Sequence, residues 1–357
     1  MSRLIILGNG FDLHYGLPTK YKEHLVPILK KNNKDFFKIV DSIYFKGNPK
    51  LWSDFEGEIG YIKDDEILHT KFSEDLNLVF DVQPDTFPFE SENDGADWMK
   101  EYEAAHEARS LTPNFKKAFK ENNKEFIKEV FPFLEKGLRA MCEEAEDELE
   151  VKISDYLIEK DFNFRRDDKF ITFNYTNTLE QIYDFIPEEN ICHLHKSLRE
   201  PGFLIFGNSR NKIVPSFCNF SEENPYFDYG YNVEDESDSS RAYLEAVNFV
   251  DQDFDEYNDA ANKIIDKLNK KFEKNIQRDR IELFLSDKDI NEVWVFGTSI
   301  GDVDIPYFSY IKEKYPLAKW WISYYGEKEF SRISARMDPI LESSVKYLSA
   351  DEFSKNL

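Results

Sequence analysis

Short apolar runs alternate with stretches of helical periodicity along this chain of 357 residues. Strand-like runs lie at residues 4–7, 169–173, 190–195, 292–297, 318–325 and 345–348. Helix-like stretches lie at residues 19–32, 176–185, 305–314 and 327–337. Buried parallel strands are typically short continuous apolar runs separated by helices. The pattern therefore predicts an α/β fold with a doubly wound, mostly parallel, Rossmann-like sheet.

Two long stretches interrupt this alternation. Residues 33–167 are mainly helical in character, with predicted helices at 101–107, 114–133 and 134–159, and residues 208–288 include an acidic segment at 231–241. Both stretches are longer than an ordinary crossover connection. We therefore predict a single α/β domain over residues 1–357 that carries a helical insertion, 33–167, and a second helical and acidic insertion, 208–288.

The chain is strongly acidic, with 46 Lys and Arg against 70 Asp and Glu and a formal net charge of −24. Broad nucleic-acid binding is disfavoured, because it requires clustered cations. A small anionic ligand is still compatible with this charge, since a local group of backbone amides can hold a phosphate. The three isolated cysteines fit neither a disulfide framework nor a zinc ribbon. No apolar run approaches 18 residues, so a cytoplasmic protein without a membrane segment is predicted.

Glycine and polar motifs follow four of the predicted strands: GNGFD, FNYTN, HLHK and GTSIGDVD. Ligands of open α/β sheets bind at the carboxyl ends of the strands, so we expect these motifs to form one site. The candidate catalytic residues are Asp12, Asn174, His195 and Asp304. Helix capping is the alternative role for Asp12 and Asp304, and support of a neighbouring loop is the alternative for Asn174. GNGFD lacks the third glycine of a dinucleotide fingerprint, because Leu13 stands there, so a simple strand-to-helix turn is its alternative.

His193 and His195 are predicted to lie on one strand, two residues apart and facing the same side. Cys192 points to the opposite face and no third ligand follows at a regular spacing, so no metal site is predicted. One histidine of the pair is expected to be a packed, hydrogen-bonded core residue. His195, nearer the strand end, is the candidate for chemistry, as a base with a pKa close to neutral pH.

Five blocks of the chain, taken in order, resemble the abortive infection AbiH family of bacterial phage-defence proteins. The blocks are LIILGNGFDLHYGLPTKY, WSDFE, FITFNYTNTLEQIY, ICHLHK and VWVFGTSIGDVDIPYF. They span nearly the whole chain, whereas the two predicted insertions match weakly. One departure is Lys196, which stands where the family pattern His-x-His-Gly has its glycine. Lys196 either narrows the site, offers a cation to a phosphate or points to solvent.

The order of the blocks is also similar, more distantly, to sirtuin-like domains, several of which degrade NAD in defence. That resemblance implies NAD or a related nucleotide as substrate or ligand, with no further cofactor required. Deacetylating sirtuins contain a four-cysteine zinc ribbon, which has no counterpart in this chain. The resemblance therefore favours hydrolysis over deacetylation.

The sirtuin-like resemblance also implies roles for particular residues. Asn174 and His195 would stand at the nicotinamide ribose. The residues implied at the dinucleotide phosphates are Gly8, Asn9, Gly10, Thr298 and Ser299. Three residues in the same turns and strand end are expected to complete the binding site: Phe11, Thr172 and Gly297.

Cleavage of the nicotinamide–ribose bond passes through an oxocarbenium-like state, as glycoside hydrolysis does. Asn174 would hold the attacking water or the ribose, and Asp12 or Asp304 would stabilise the developing positive charge. The predicted function is phage defence by a nucleotide-binding protein that hydrolyses NAD. A phage-derived trigger and a second copy of the chain are the further candidate partners.

Two alternatives to hydrolysis stay open. The same pocket would serve a nucleotide-sensing module that cuts nothing. A metal-dependent nuclease would use Asp54, Glu56 and Glu58, although residues two apart on a helix do not share a face and the acidity of the chain opposes polyanion binding.

Overall fold

The computed structural model of the protein describes residues 2–59, 62, 124–207, 266, 268–272, 274, 276–286 and 288–357. The chain divides into two compact units: Met1–Tyr61, Phe131–Asn211 and Phe272–Leu357 form the first, and Ile62–Val130 and Lys212–Lys271 form the second. In the second unit the Lys271 ammonium donates a hydrogen bond to the Ile127 carbonyl. The sheet and all candidate site residues lie in the first unit.

The first unit is built on six strands, β1 Ser2–Leu7, β2 Lys169–Thr172, β3 Ile191–His193, β4 Ile290–Phe296, β5 Lys319–Tyr324 and β6 Val345–Ser349. They form one all-parallel sheet in the order β3-β2-β1-β4-β5-β6. The order reverses between β1 and β4, and such a switch point is where ligands of open α/β sheets bind. The predicted parallel, Rossmann-like α/β fold is confirmed.

Ten α-helices have both ends within the described residues: α1 Gly10–His14, α2 Val26–Asn32, α3 Lys34–Phe45, α4 Phe55–Glu58, α5 Lys124–Ser154, α6 Thr178–Ile182, α7 Arg278–Phe284, α8 Ile305–Lys314, α9 Gly326–Leu341 and α10 Ala350–Asn356. Residues 266 and 268–271 are also helical. A π-helical turn, Tyr21–Leu25, precedes α2. Short 3-10 turns are formed by Leu51–Asp54, Glu188–Asn190 and Glu342–Ser344.

The sheet is buried on both faces, as its continuous apolar strands predict. Along β1, Leu4 and Ile6 join a core with α7, α8 and α9, whereas Ile5 and Leu7 join a second core with α1, α5, α6 and α10. Successive side chains of a strand point to opposite faces, so each of these pairs belongs to one face. β1 lies between β2 and β4, which places the glycine turn that follows it at the centre of the sheet edge.

The long helix α5 corrects one predicted boundary. Two helices, 114–133 and 134–159, were expected, but residues 124–154 form one helix that continues through Pro132. Its buried positions Val130, Leu134, Leu138, Met141, Ala145 and Leu149 are three or four residues apart and form one uninterrupted stripe. Packing along this stripe offsets the hydrogen bond that the proline cannot donate.

The predicted strand at 190–195 is also shorter than expected. β3 ends at His193, and His195 lies two residues beyond it in a turn, so the two histidines do not share a strand. The apolar stretch GFLIFG, residues 202–207, which the sequence predicts to be either a strand or a loop, is a loop. Helix α3 lies within the stretch 33–167 that is predicted to be mainly helical. Helices α1 and α10 have no counterpart among the predicted elements, although α10 begins with a capping box formed by Ser349 and Glu352.

The domain division into one domain with two insertions stays a prediction. The predicted helix at 101–107, residues 114–123 of the next one, and the acidic segment at 231–241 lie outside the described residues. Within the described part of the chain, no helix is both long enough and apolar enough to cross a bilayer.

Candidate functional site

The glycine turns that follow β1 and β4 pack directly against each other at the switch point. A Cβ on Gly8 would lie 2.7 Å from the Gly297 carbonyl oxygen, and one on Gly297, whose φ is +68°, would lie 2.6 Å from the Gly10 carbonyl carbon. The Gly8 N–H donates to the Phe296 carbonyl at 3.0 Å, and the Gly10 N–H donates to the Gly297 carbonyl at 2.7 Å. These glycines therefore permit two backbones to touch, and the N–H groups of Gly8 and Gly10 are engaged within the protein.

A cavity of about 880 Å³ opens at this sheet edge. Ten of the twelve residues predicted for the site line it: Gly8, Asn9, Gly10, Asp12, Asn174, His195, Gly297, Thr298, Ser299 and Asp304. Phe11 does not line the cavity, because its ring packs among Tyr15, Phe162 and Phe164. Thr172 is also outside the lining, where its hydroxyl accepts the Asn174 N–H at 3.1 Å. The catalytic and binding roles of these residues stay predictions.

Four buried polar atoms that belong to residues of the cavity lining have no hydrogen-bond partner within the protein. They are Oγ1 of Thr19, Oδ1 of Asn174, Nε2 of His195 and Oγ1 of Thr298. Nearly all buried polar side chains in proteins are hydrogen-bonded, so an unpaired group requires an explanation. All four belong to residues that line one cavity.

Asp12 does not cap a helix. Its side chain is 1% exposed and accepts hydrogen bonds from Nδ2 of Asn174 at 3.2 Å and from the Thr176 hydroxyl at 2.8 Å. Burial raises the pKa of Asp12 to about 6, although the hydrogen bonds from neighbouring threonines and from Asn174 oppose that shift. A carboxylate with a pKa close to working pH is suited to accept a proton.

Asp304 occupies the position that precedes α8, but its side chain makes no capping bond to that helix. It accepts the Gly301 N–H at 3.0 Å instead. Burial raises the pKa of Asp304 to about 6, while the positive charge of Lys274 partly opposes the rise. The structure thus brings two buried carboxyl groups with raised pKa values, Asp12 and Asp304, to the lining of one cavity.

His195 contacts a buried ion pair. The Lys274 ammonium lies 2.5 Å from Oε2 of Glu56 and 3.2 Å from Nδ1 of His195. Oε1 of Glu56 accepts hydrogen bonds from the Tyr175 hydroxyl at 2.7 Å and the Tyr21 hydroxyl at 3.2 Å. Burial alone would raise the pKa of Glu56, but Lys274, His195 and these contacts outweigh it and lower the pKa.

The chemistry expected of His195 changes in this environment. Burial, together with the positive charge of Lys274, lowers the pKa of His195 to about 3. The prediction that its pKa lies close to neutral pH is therefore wrong, and the imidazole is neutral at pH 7. No sequence signal marked Lys274, whereas Glu56 belongs to the WSDFE block.

His193 is a packed, hydrogen-bonded core residue, as expected of one member of the pair. Its Nε2 lies 2.7 Å from Oε1 of Glu180, and its Nδ1 lies 3.1 Å from the Asn174 carbonyl. Burial alone would lower the pKa of His193, but the hydrogen bond and charge of Glu180 outweigh it and raise the pKa. His193 is not on the cavity lining. It supports the backbone of Asn174, and Asn174 does line the cavity.

Lys196 occupies the family's glycine position with a glycine-like backbone. Its φ is 64°, in the left-handed region that glycine adopts without steric cost. Its ammonium donates to the Pro201 carbonyl at 2.9 Å and does not line the cavity. Lys196 therefore does not narrow this cavity.

The nuclease residues do not form a metal centre. Oδ1 of Asp54 accepts the Gly57 N–H at 3.2 Å as the cap of α4, and Glu56 is paired with Lys274. In the part of the chain that the structure describes, no group of three or more His, Cys, Asp or Glu side chains is arranged to hold a metal ion.

A parallel α/β sheet with a polar cavity at its switch point defines a protein of the Rossmann-like class. The chain belongs to the bacteriophage abortive infection AbiH family, whose family model matches residues 4–324. By family it is an abortive-infection protein of phage defence, and the resemblance to AbiH noted in the sequence is confirmed. No curated protein and no solved structure matches the chain.

Proposed function

We propose that this phage-defence protein binds NAD, or a closely related nucleotide, in the switch-point cavity and hydrolyses its nicotinamide–ribose bond in the cytoplasm when a phage-derived trigger is present. The observation that carries the proposal is the convergence of four unpaired buried polar atoms on that cavity. A buried polar group without a partner costs about 1–3 kcal/mol. A ligand with several hydroxyl and amide groups removes that cost on binding.

The phosphates require cationic or donor groups that the glycine turn does not supply, because the N–H groups of Gly8 and Gly10 are already bonded. Two exposed lysines on the cavity lining, Lys20 and Lys22, meet that need. The unpaired Thr298 hydroxyl adds a donor on the same lining. We assign the phosphate-binding role to these three side chains.

The hydrolytic step uses the buried carboxylates. The oxygen of a water molecule attacks C1′ of the ribose, the C1′–N bond breaks, and the ring nitrogen keeps its electron pair, so that neutral nicotinamide leaves. Asp12 accepts the proton of the water, and ADP-ribose is the second product. Asn174, bonded to Asp12 at 3.2 Å, orients the water, and the ionised Asp304 stabilises the oxocarbenium-like state.

The test is incubation of the purified protein with NAD, with and without phage lysate, while free nicotinamide and ADP-ribose are measured. Asp12→Asn is expected to lower the release of nicotinamide by about 10²–10⁴-fold, because a general base is lost. Asn174→Ala should also lower it. The matched control is Asp167→Asn, since Asp167 is exposed and not on the lining. Full turnover by Asp12→Asn would refute the assignment of the base.

A nucleotide sensor that cuts nothing is the second candidate, favoured by the low pKa of His195, which removes one expected base. Calorimetric binding of NAD to the wild-type protein with no nicotinamide released, with lysate present, would select this function. Release of nicotinamide that Asp12→Asn abolishes would select hydrolysis.

A further inference from the structure

Lys274 lies where it determines which nitrogen of His195 carries the proton. Its side chain is buried, and its ammonium contacts Nδ1 of His195 at 3.2 Å and the carboxylate of Glu56 at 2.5 Å. An ammonium has three donors and no acceptor. The close carboxylate stabilises the charged lysine, so Nδ1 of His195 is the acceptor of this hydrogen bond.

A neutral imidazole that accepts at Nδ1 carries its proton on Nε2. Nε2 is buried and has no hydrogen-bond partner within the protein, and His195 lines the cavity. The groups that act on the ring are the charged side chains of Lys274, Glu56 and Arg280 and the backbone carbonyl of Phe173. The rings of Phe173, Tyr175 and Tyr307 pack around it.

We propose that Lys274, held by Glu56, is a positioning residue that keeps His195 neutral with its proton on Nε2, so that His195 donates a hydrogen bond to an acceptor oxygen of the ligand. The identity of that oxygen, a hydroxyl of the ribose, rests on the proposed function. The tautomer of His195 is independent of the proposed function. His195 then recognises the sugar, and proton abstraction falls to Asp12.

The two tyrosines complete this arrangement. Tyr175 and Tyr21 donate to the same oxygen of Glu56, which leaves the other oxygen for Lys274. The carboxylate is therefore held from both sides and cannot rotate away from the ammonium without losing three contacts. Such support keeps the Nδ1 contact of His195 in one geometry.

The tautomer is measured on the ligand-free protein by ¹⁵N–¹H NMR of labelled histidine, with His195→Gln used to assign the signal among the six histidines. The expected result is a proton on Nε2 only, unchanged between pH 5.5 and 8. Lys274→Met is expected to give a mixture of tautomers, and Lys274→Arg to restore the wild-type spectrum. The control is Lys312→Met, because Lys312 also makes two hydrogen bonds but does not contact His195.

Because Lys274→Met removes the cation that pairs with the half-buried Glu56 carboxylate, the double variant Glu56→Gln with Lys274→Met provides a charge-balanced protein for the same measurement. A proton on Nδ1 in the wild type, or an unchanged spectrum in both variants, overturns the proposal. Titration of His195 between pH 5.5 and 8 overturns it as well.

Ligand binding separates this proposal from the proposed function. Lys274→Met and His195→Ala are each expected to weaken the binding of ADP-ribose about tenfold in calorimetry, the equivalent of one hydrogen bond. Unchanged affinity in both variants overturns the ligand contact of His195. If the spectra are as expected but neither NAD nor ADP-ribose binds, the proposal of a nucleotide ligand is refuted and the proposed tautomer of His195 is supported.

Discussion

Replacement of Asp12 by asparagine is expected to stabilise the protein, and to stabilise it more as the pH rises. Asp12 is 1% exposed, and burial raises its pKa from 3.8 to about 6. The side chains of aspartate and asparagine have nearly the same shape. In Asp12→Asn the amide oxygen still accepts from Thr176. The new amide group replaces an oxygen that accepts from Nδ2 of Asn174, so the Asn174 amide must turn over and present Oδ1, which has no partner in the wild type.

The magnitude follows from the pKa difference between the folded and unfolded chains. The pKa of Asp12 is higher in the folded chain than in the unfolded chain, so ionisation of Asp12 lowers the free energy of unfolding. This loss grows as the pH rises from about 4 to about 6, and it is constant at higher pH. A shift of about two pKa units corresponds to about 3 kcal/mol. Asp12→Asn is therefore expected to be more stable than the wild type by about 1 kcal/mol at pH 4.5 and about 3 kcal/mol at pH 8.

The assay is urea unfolding at a series of pH values, followed by tryptophan fluorescence. Trp294 and Trp321 stack at 4.4 Å within the sheet and report on the first unit. The exposed Asp167→Asn is the control for the loss of one surface charge. A stability difference that does not change with pH, or a variant that is less stable at pH 8, would refute the reasoning that burial of an ionised Asp12 is costly.

Three further changes test other contacts. Gly297→Ala should destabilise the first unit by about 3 kcal/mol in urea unfolding, since φ is +68° and the new methyl would meet the Gly10 backbone; an unchanged midpoint would contradict the close approach. Lys196→Gly should stabilise the first unit by about 0.5–1 kcal/mol, because glycine adopts the left-handed backbone conformation of this residue without strain. It should leave the affinity for ADP-ribose unchanged, because Lys196 is outside the cavity lining. Lys196→Ala keeps the strain and should not stabilise the protein. Glu56→Gln should cost about 3–5 kcal/mol, because the buried Lys274 loses its charged partner. The exposed Glu159→Gln should cost almost nothing.

Part of the site could be predicted from the sequence because its motifs consist of neighbouring residues. A glycine turn after an apolar strand is visible in a few consecutive residues, and parallel strands bring the ends that follow them to one edge. Asp12, Asn174 and Asp304 follow from that logic alone, and each lines the cavity. Phe11 and Thr172 are in the same motifs but point into the core or bond to the backbone, which a motif cannot distinguish.

The sequence by itself determined the parallel α/β fold, the family and the sheet edge that carries the cavity, because apolar periodicity and strand-end motifs act over short distances along the chain. Only the tertiary structure decided the chemistry of His195. Its partner Lys274 is 79 positions away, and Lys274 is in turn paired with Glu56 at a separation of 218 positions. The pKa values of His195, Asp12 and Asp304 depend on burial and on charges brought together by folding, and no local pattern encodes either.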